Sequence, residues 1–465
     1  MTKPHLLLLA PLLIAAAPVH PAADAVSQDR LRADIDKLVS FGTRHTLSSL
    51  TDPKRGIGAA LNWAEGEFKA ASKACGNCLT TARPEDTVTG RRIPNPTRVV
   101  DVIAVQKGTE RPNDVVIITG HIDSRVTDVM NATADAPGAN DDGSGTVAVI
   151  EAARVLSKHK FPATIVYGVL SGEEQGLVGA KILADYAKAQ GWNVIANLNN
   201  DIIGGSCGSD GVCDNAHVRV FSEGPRWQGG ADLRGPQRSL GGENDSPSRN
   251  LSRWLDTLAD NLSLGLDVRQ IWRNDRFGRG GDHTEFLNAG YPAIRFSVAI
   301  ENYNEQHQDL RTEGGIEYGD TPDKMDFAYL AKVTKLNVAA LAALASAPPP
   351  PAPSVEGAVS NDTVISWPAV AGAQGYVIRW RRTDASQWEH ELRFKPQSSA
   401  QGATTMYVQG IAGIRVDDWI FGVSAVSSDG HESPVASAVP GGAFRPYEAP
   451  APVSAPAAPP TSPRT

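Results

Sequence analysis

Four short polar segments carry the side chains that could do chemistry, and each borders an apolar run or opens a helix-like stretch. They are Gly120-His121-Ile122-Asp123-Ser124, Gly138-Ala139-Asn140-Asp141-Asp142-Gly143-Ser144-Gly145, Ser171-Gly172-Glu173-Glu174-Gln175-Gly176-Leu177 and Asn199-Asn200-Asp201-Ile202-Ile203-Gly204. A fifth, Glu301-Asn302-Tyr303-Asn304-Glu305-Gln306-His307, comes from a loop. Carboxylates gathered at one sheet edge repel one another unless cations compensate them. Imidazole mixed with carboxylate, without thiolate, favours zinc, with manganese or cobalt as substitutes. Singly, each segment has a blander reading: Asp141 or Asp142 could cap a helix, and Glu173-Glu174 could be solvated acids on a first helical turn. Their joint occurrence in this order points to a metal site.

The elements that must position these residues follow from periodicity. Short apolar runs over residues 115–119, 164–170, 194–198 and 292–298 read as buried strands, alternating with helix-like stretches over 146–160 and 177–190. An opening helix over 27–41 places Leu31, Ile35, Leu38 and Val39 on one face, and a closing helix over 323–345 follows Thr321-Pro322. The alternation predicts an α/β fold with a mostly parallel central sheet flanked by helices, whose sites lie at strand ends.

With these motifs in this order, residues 29–345 resemble the zinc-dependent exopeptidases of the bacterial leucyl aminopeptidase type. The resemblance implies two zinc ions per chain, one held by His121 and Asp201, the other by Glu174 and His307, with Asp141 bridging. It implies Glu173 as general base, Asp123 as the carboxylate that orients His121, and a cis peptide bond between Asp141 and Asp142. Three ligand carboxylates and a bridging hydroxide balance two zinc ions. Some relatives have tyrosine directly before the last ligand; Gln306 stands there, leaving Tyr303 as a candidate for oxyanion stabilisation. His283, in Gly281-Asp282-His283-Thr284-Glu285-Phe286, is expected to line the pocket or to stand behind the ligands, and His45 to be structural. The implied activity is removal of N-terminal residues from peptide or protein substrates by a zinc-bridging hydroxide. A carboxypeptidase or a zinc glutaminyl cyclase shares much of the ligand pattern. An inert secreted adhesion protein is the rival from a different class.

The flanks set the context. Lys3, an apolar run over 6–17 and small residues near 15–17 and 23–25 have the layout of a signal peptide, assigned to residues 1–25, so the product is expected to be secreted or periplasmic. The four cysteines form two close pairs, Cys75/Cys78 and Cys207/Cys213, which read as local disulfides, with a four-cysteine zinc site as the alternative. The catalytic domain is assigned to 27–346, and Pro-rich residues 347–353 to a stiff spacer. Residues 354–440 are assigned to an all-β sandwich that resembles a fibronectin type III domain through Ile365-Ser366-Trp367-Pro368, Gly375-Tyr376-Val377-Ile378-Arg379-Trp380 and Trp419-Ile420-Phe421-Gly422-Val423-Ser424-Ala425; the family usually has tyrosine where Trp419 stands. Residues 441–465, rich in Pro and Ala, are expected to be disordered. A formal net charge of -8 without a basic stripe offers no footprint for nucleic acid or an anionic membrane surface.

Overall fold

The computed structural model describes residues 21–224, 242–396, 405–440 and 442–443. The expected signal segment up to residue 20 and almost all of the expected tail lie outside the described residues.

The chain order is α1 (Gln28–Val39), α2 (Ile57–Ala74), β1 (Leu79–Ala82), β2 (Glu85–Gly90), β3 (Ile93–Val100), β4 (Val102–Gln106), β5 (Arg111–His121), α3 (Gly143–Leu156), β6 (Ala163–Leu170), α4 (Val178–Ala189) and β7 (Asn193–Asn200). Then come β8 (His217–Ser222), α5 (Pro247–Leu262), β9 (Asp267–Ile271), α6 (His283–Asn288), β10 (Ala293–Val298), β11 (Arg311–Glu313), β12 (Ile316–Tyr318) and α7 (Phe327–Ser346). Ser27 caps α1 by accepting from the Arg30 N–H, and the buried face carries Leu31, Ile35 and Leu38 as the 3.6-residue spacing predicts.

Eight strands form the central sheet in the order β1-β4-β6-β5-β7-β10-β8-β9. Its middle, β6-β5-β7-β10, is parallel throughout. The expectation of a mostly parallel sheet needs correction at the flanks: β1 and β4 run antiparallel to their neighbours, as does β8 against β10. Parallel pairing needs a crossover connection, which α3 and α4 supply in the middle and α5 supplies between β8 and β9, themselves a parallel pair. Helix α3 lies close against the ends of β5 and β7 because both contacts are made by bare backbone. A Cβ on Gly145 would fall 2.3 Å from the Asn200 carbonyl oxygen, and one on Gly120 2.4 Å from the Gly145 carbonyl carbon. Helix α7 is long and apolar enough to cross a membrane, but it is packed into the core.

Pro21–Ala25 makes a turn of 3-10 helix with Ala22 and Ala23 buried, so the folded unit begins before the signal boundary drawn at residue 25. A chain starting at Val26 is expected to lose about 1 kcal/mol relative to one starting at Pro21, from re-exposed methyl groups; equilibrium denaturation of the two proteins checks this.

The C-terminal unit is all β: β13 (Ser354–Glu356), β14 (Thr363–Pro368), β15 (Gly375–Arg382), β16 (His390–Phe394), β17 (Met406–Ile411), β18 (Trp419–Val426), β19 (Ala436–Val439) and β20 (Gly442–Ala443). Seven strands follow the path β16-β15-β18-β19-β13-β14-β17, curled around Ile365, Trp367, Tyr376, Ile378, Phe421 and Val423, with β20 beside β19.

The proline-rich stretch between the two units packs against the fold. Pro348, Pro351 and Pro353 are buried, and the Arg111 guanidinium donates to the Ala347 carbonyl at 2.7 Å. The two units meet along α5: Asn250 Nδ2 donates to Ser437 Oγ at 2.8 Å, Arg253 Nε to the Ser386 carbonyl at 2.7 Å, and Arg381 pairs with Asp245, both buried.

Candidate metal centre

Strand direction explains the gathering of the site. Parallel strands β5, β6 and β7 end on one side of the sheet, so His121 at the end of β5, the Glu173-Glu174 turn after β6 and Asp201 after β7 converge there. The loop entering α3 adds Asp141, and the 301–307 loop brings His307, which adopts a left-handed φ of 58°. Of the adjacent aspartates, Asp142 is the helix cap: its carboxylate accepts the N–H groups of Gly145 (2.9 Å), His121 (3.0 Å) and Ile202 (3.2 Å). That leaves Asp141 facing the cluster. The bond between them is cis, as the resemblance implies.

Two triads share Asp141. His121, Asp141 and Asp201 form one, and Asp141, Glu174 and His307 the other, with one donor atom of each residue within 4.8 Å of the others in its triad. His121 Nε2 lies 3.4 Å from Asp141 Oδ1 and 3.8 Å from Asp201 Oδ1. His307 Nε2 lies 2.8 Å from the other Asp141 oxygen and 3.0 Å from Glu174 Oε1. All five residues expected as ligands therefore meet.

The charge balance fits cations. Burial opposes it, yet the carboxylates of Glu174 and Asp141 push the His307 imidazole up to about 10. Burial alone would raise the Asp141 carboxyl, but His307 and His121 hold it well below the usual range. Both imidazoles are thus drawn towards the positive form by carboxylates that divalent ions would satisfy better. Glu174 Oε1 is buried and, among the described residues, faces no partner but the His307 imidazole, the state of an oxygen shaped for a ligand atom. Nitrogen and carboxylate oxygen donors suit zinc. The four-cysteine alternative falls, because Cys75–Cys78 and Cys207–Cys213 are disulfides.

Glu173 stands beside these groups without belonging to either triad. Burial pushes its carboxyl well up; His121 works against the shift, while Glu174 and Asp201 add to it. Asp123 acts differently from the simple expectation. His121 Nδ1 donates to its backbone carbonyl at 3.1 Å, whereas its carboxylate oxygen is 3.5 Å away. That carboxylate instead accepts from Thr46 Oγ1 (2.8 Å) and from the N–H groups of Glu174 (3.1 Å) and Glu173 (3.3 Å), so it holds the acidic turn as well as the imidazole.

Several participants were not singled out by sequence reasoning. Arg125 Nε donates to Glu174 Oε2 at 2.7 Å, and its Nη2 donates to His307 Nδ1 at 2.6 Å. Arg295 Nη2 lies 3.1 Å from Asp201 Oδ2 and also pairs with Asp275. Asp320 accepts from the N–H groups of Asn140 (2.8 Å) and Asp141 (2.7 Å), and the buried Arg44 donates to the carbonyls of Pro137 (2.6 Å) and Gly138 (2.8 Å). These two fasten the Asp141 loop from both sides. Arg125 had a sequence signal in its place two residues after Asp123; the others sit in segments that look like ordinary strand or turn. Tyr303 is exposed and does not line the cavity around the triads, and His283 is buried against the Asn274 carbonyl at 2.9 Å rather than lining it. His45 is buried, with Nε2 against the Val129 carbonyl at 2.9 Å, a structural contact.

Comparison with known proteins agrees with this geometry. The sequence pattern of Peptidase family M28 matches residues 101–326. A protein of Pyricularia oryzae described as a probable zinc metalloprotease is 43% identical over 446 residues, spanning 91% of this chain and 85% of that protein. One of Pyrenophora teres f. teres with the same description is 43% identical over 418 residues, spanning 88% of this chain and 84% of the relative. Among solved structures, the Legionella pneumophila LapA aminopeptidase superposes with a TM-score of 0.51 at 21% identity, over 74% of this chain and 79% of that one, a likeness of fold. The chain belongs to peptidase family M28.

Proposed function

We propose that this chain is an exported two-zinc exopeptidase that removes N-terminal residues from peptides. The observation that carries the reading is the pair of triads sharing Asp141, with Glu173 left outside them. In this reading His121 and Asp201 would hold one ion and Glu174 and His307 the other, with Asp141 available to both because the triads share it. Bound zinc supplies Lewis-acid polarisation of the scissile carbonyl and neutralises charge that develops on its oxygen. Glu173 takes the proton from the attacking water and returns it to the leaving amine. Asp123 fixes both the His121 ring and the turn bearing Glu173, so base and ligands keep one relative geometry. Export is supported by the two local disulfides, which suit an oxidising compartment. The strand path of the C-terminal unit suits a fibronectin type III-like sandwich.

Metal analysis of the purified full chain, beside rates on aminoacyl and C-terminal substrates, tests the proposal. The expected result is about two zinc ions per chain and N-terminal release that a chelator abolishes and zinc restores. Turnover indifferent to metal, or one ion per active chain, would sink it.

A further inference from the structure

The walls of the catalytic cavity are unusual for a site that accepts apolar side chains. The cavity holds about 610 Å³, and Leu177 is the one apolar side chain among its described lining residues. Among the described residues four guanidinium groups line it, those of Arg91, Arg92, Arg125 and Arg279. Four carboxylates also line it, but Asp141, Glu174 and Asp201 belong to the triads and Glu173 stands beside them. Ions held by the triads would add further positive charge, so the space left for substrate is cationic.

The arginines differ in what they are free to do. Arg125 is engaged with Glu174 and His307. Arg92 donates to the Glu174 carbonyl at 2.7 Å, which plants the β2–β3 hairpin tip over the acidic turn. Gly90 pairs with Ile93, so Arg91 and Arg92 are the two residues of that tip. Arg91 is exposed and, among the described residues, has no hydrogen-bond or ion-pair partner. Arg279 is also exposed, held between Gly278 and Gly280 on the loop after β9, with the end of the Gln306 side-chain amide 3.1 Å from its Nη2. Two guanidinium forks with donors to spare thus reach the cavity from separate loops.

Resting on the exopeptidase reading, we propose that Arg91 and Arg279 form a subsite for a substrate carboxylate close to the scissile bond. Guanidinium binds carboxylate through paired, charge-assisted hydrogen bonds, and a neutral isostere would leave those donors without their partner. The carboxylate has two sources, the side chain of an acidic residue or the free α-carboxylate of a short peptide.

Three matched pairs separate them on the zinc-loaded full chain: Glu-Ala amide against Gln-Ala amide, Ala-Glu amide against Ala-Gln amide, and Ala-Ala against Ala-Ala amide. At least one carboxylate member should exceed its neutral partner by about tenfold in kcat/KM. The R91A/R279A variant should pull that ratio towards one through KM, and the charge reversal R91E/R279E should push it below one. Ratios near one for all three pairs, or a ratio that survives both variants, overturn the subsite. Calorimetry with uncleavable reduced-bond versions of the same pairs distinguishes the two readings. If nothing is hydrolysed while carboxylate ligands bind about tenfold tighter through both arginines, the exopeptidase reading fails and the subsite stands. Equal affinities within each pair remove the subsite whether or not hydrolysis occurs.

Discussion

Glu173→Gln is expected to keep close to two equivalents of zinc while turnover falls by at least about a hundredfold, because the amide preserves shape but cannot accept the proton. Its neighbour should behave in the opposite way with respect to metal. Glu174 belongs to a triad and reaches His307 at 3.0 Å, so Glu174→Gln removes a ligand charge and should lose zinc together with activity. Both variants would be dialysed identically, analysed for metal and assayed on one aminoacyl substrate. If Glu173→Gln loses zinc while Glu174→Gln keeps it, the assignments are reversed. If both stay active, the mechanism proposed above fails. Asp123 ties the two predictions together, since its carboxylate accepts from both backbone N–H groups of the turn.

Asp245→Asn is expected to destabilise the whole chain by about 3 kcal/mol, the cost of leaving a buried ion without its partner. Three arginines are buried around this position: Arg249 is 5% exposed, Arg253 1% and Arg381 1%. Burial pushes the Arg249 and Arg253 guanidiniums down to about 10, and Asp245 is the nearby carboxylate that opposes this. Its direct partner Arg381 lies on the C-terminal unit, so the variant leaves a buried cation on one side of the interface and loosens the other. Chemical denaturation would read the loss. Adding Arg381→Met should recover part of it, because the double variant no longer buries that unpaired charge. A change below about 0.5 kcal/mol in Asp245→Asn would mean that the pair does not anchor the two units.

This interface has no counterpart in the sequence reading. Prolines at 348–351 and 353 have the composition of a stiff spacer, yet three of them are buried. Composition reports what a segment can do alone and says nothing about a surface that arrives from elsewhere. The polar residues of α5 look like an ordinary solvated face, and Asp245, Arg253 and Arg381 become a buried cluster only when residues 136 positions apart meet. The flanking strands were hidden for a related reason. Strands β1 and β4 are short and carry no crossover helix, and β2–β3 forms a separate hairpin whose tip reaches the site.

The convergence of His121, Glu174 and Asp201 was readable in the chain because β5, β6 and β7 are parallel. Each has an apolar run that must be buried, and parallel direction sends all their C-terminal ends to the same edge. His121, Glu174 and Asp201 follow those runs directly, so local order carried most of the site. The choice between Asp141 and Asp142 was not readable from spacing, since either side chain could cap α3; the fold resolves it by giving Asp142 three backbone N–H groups to accept. Nor could the chain order show that Arg125, Arg295 and Asp320 close around the cluster. Their partners lie far away in sequence, and the pairing of buried charges is set by which loops pack together, a property of the folded molecule that no local pattern encodes.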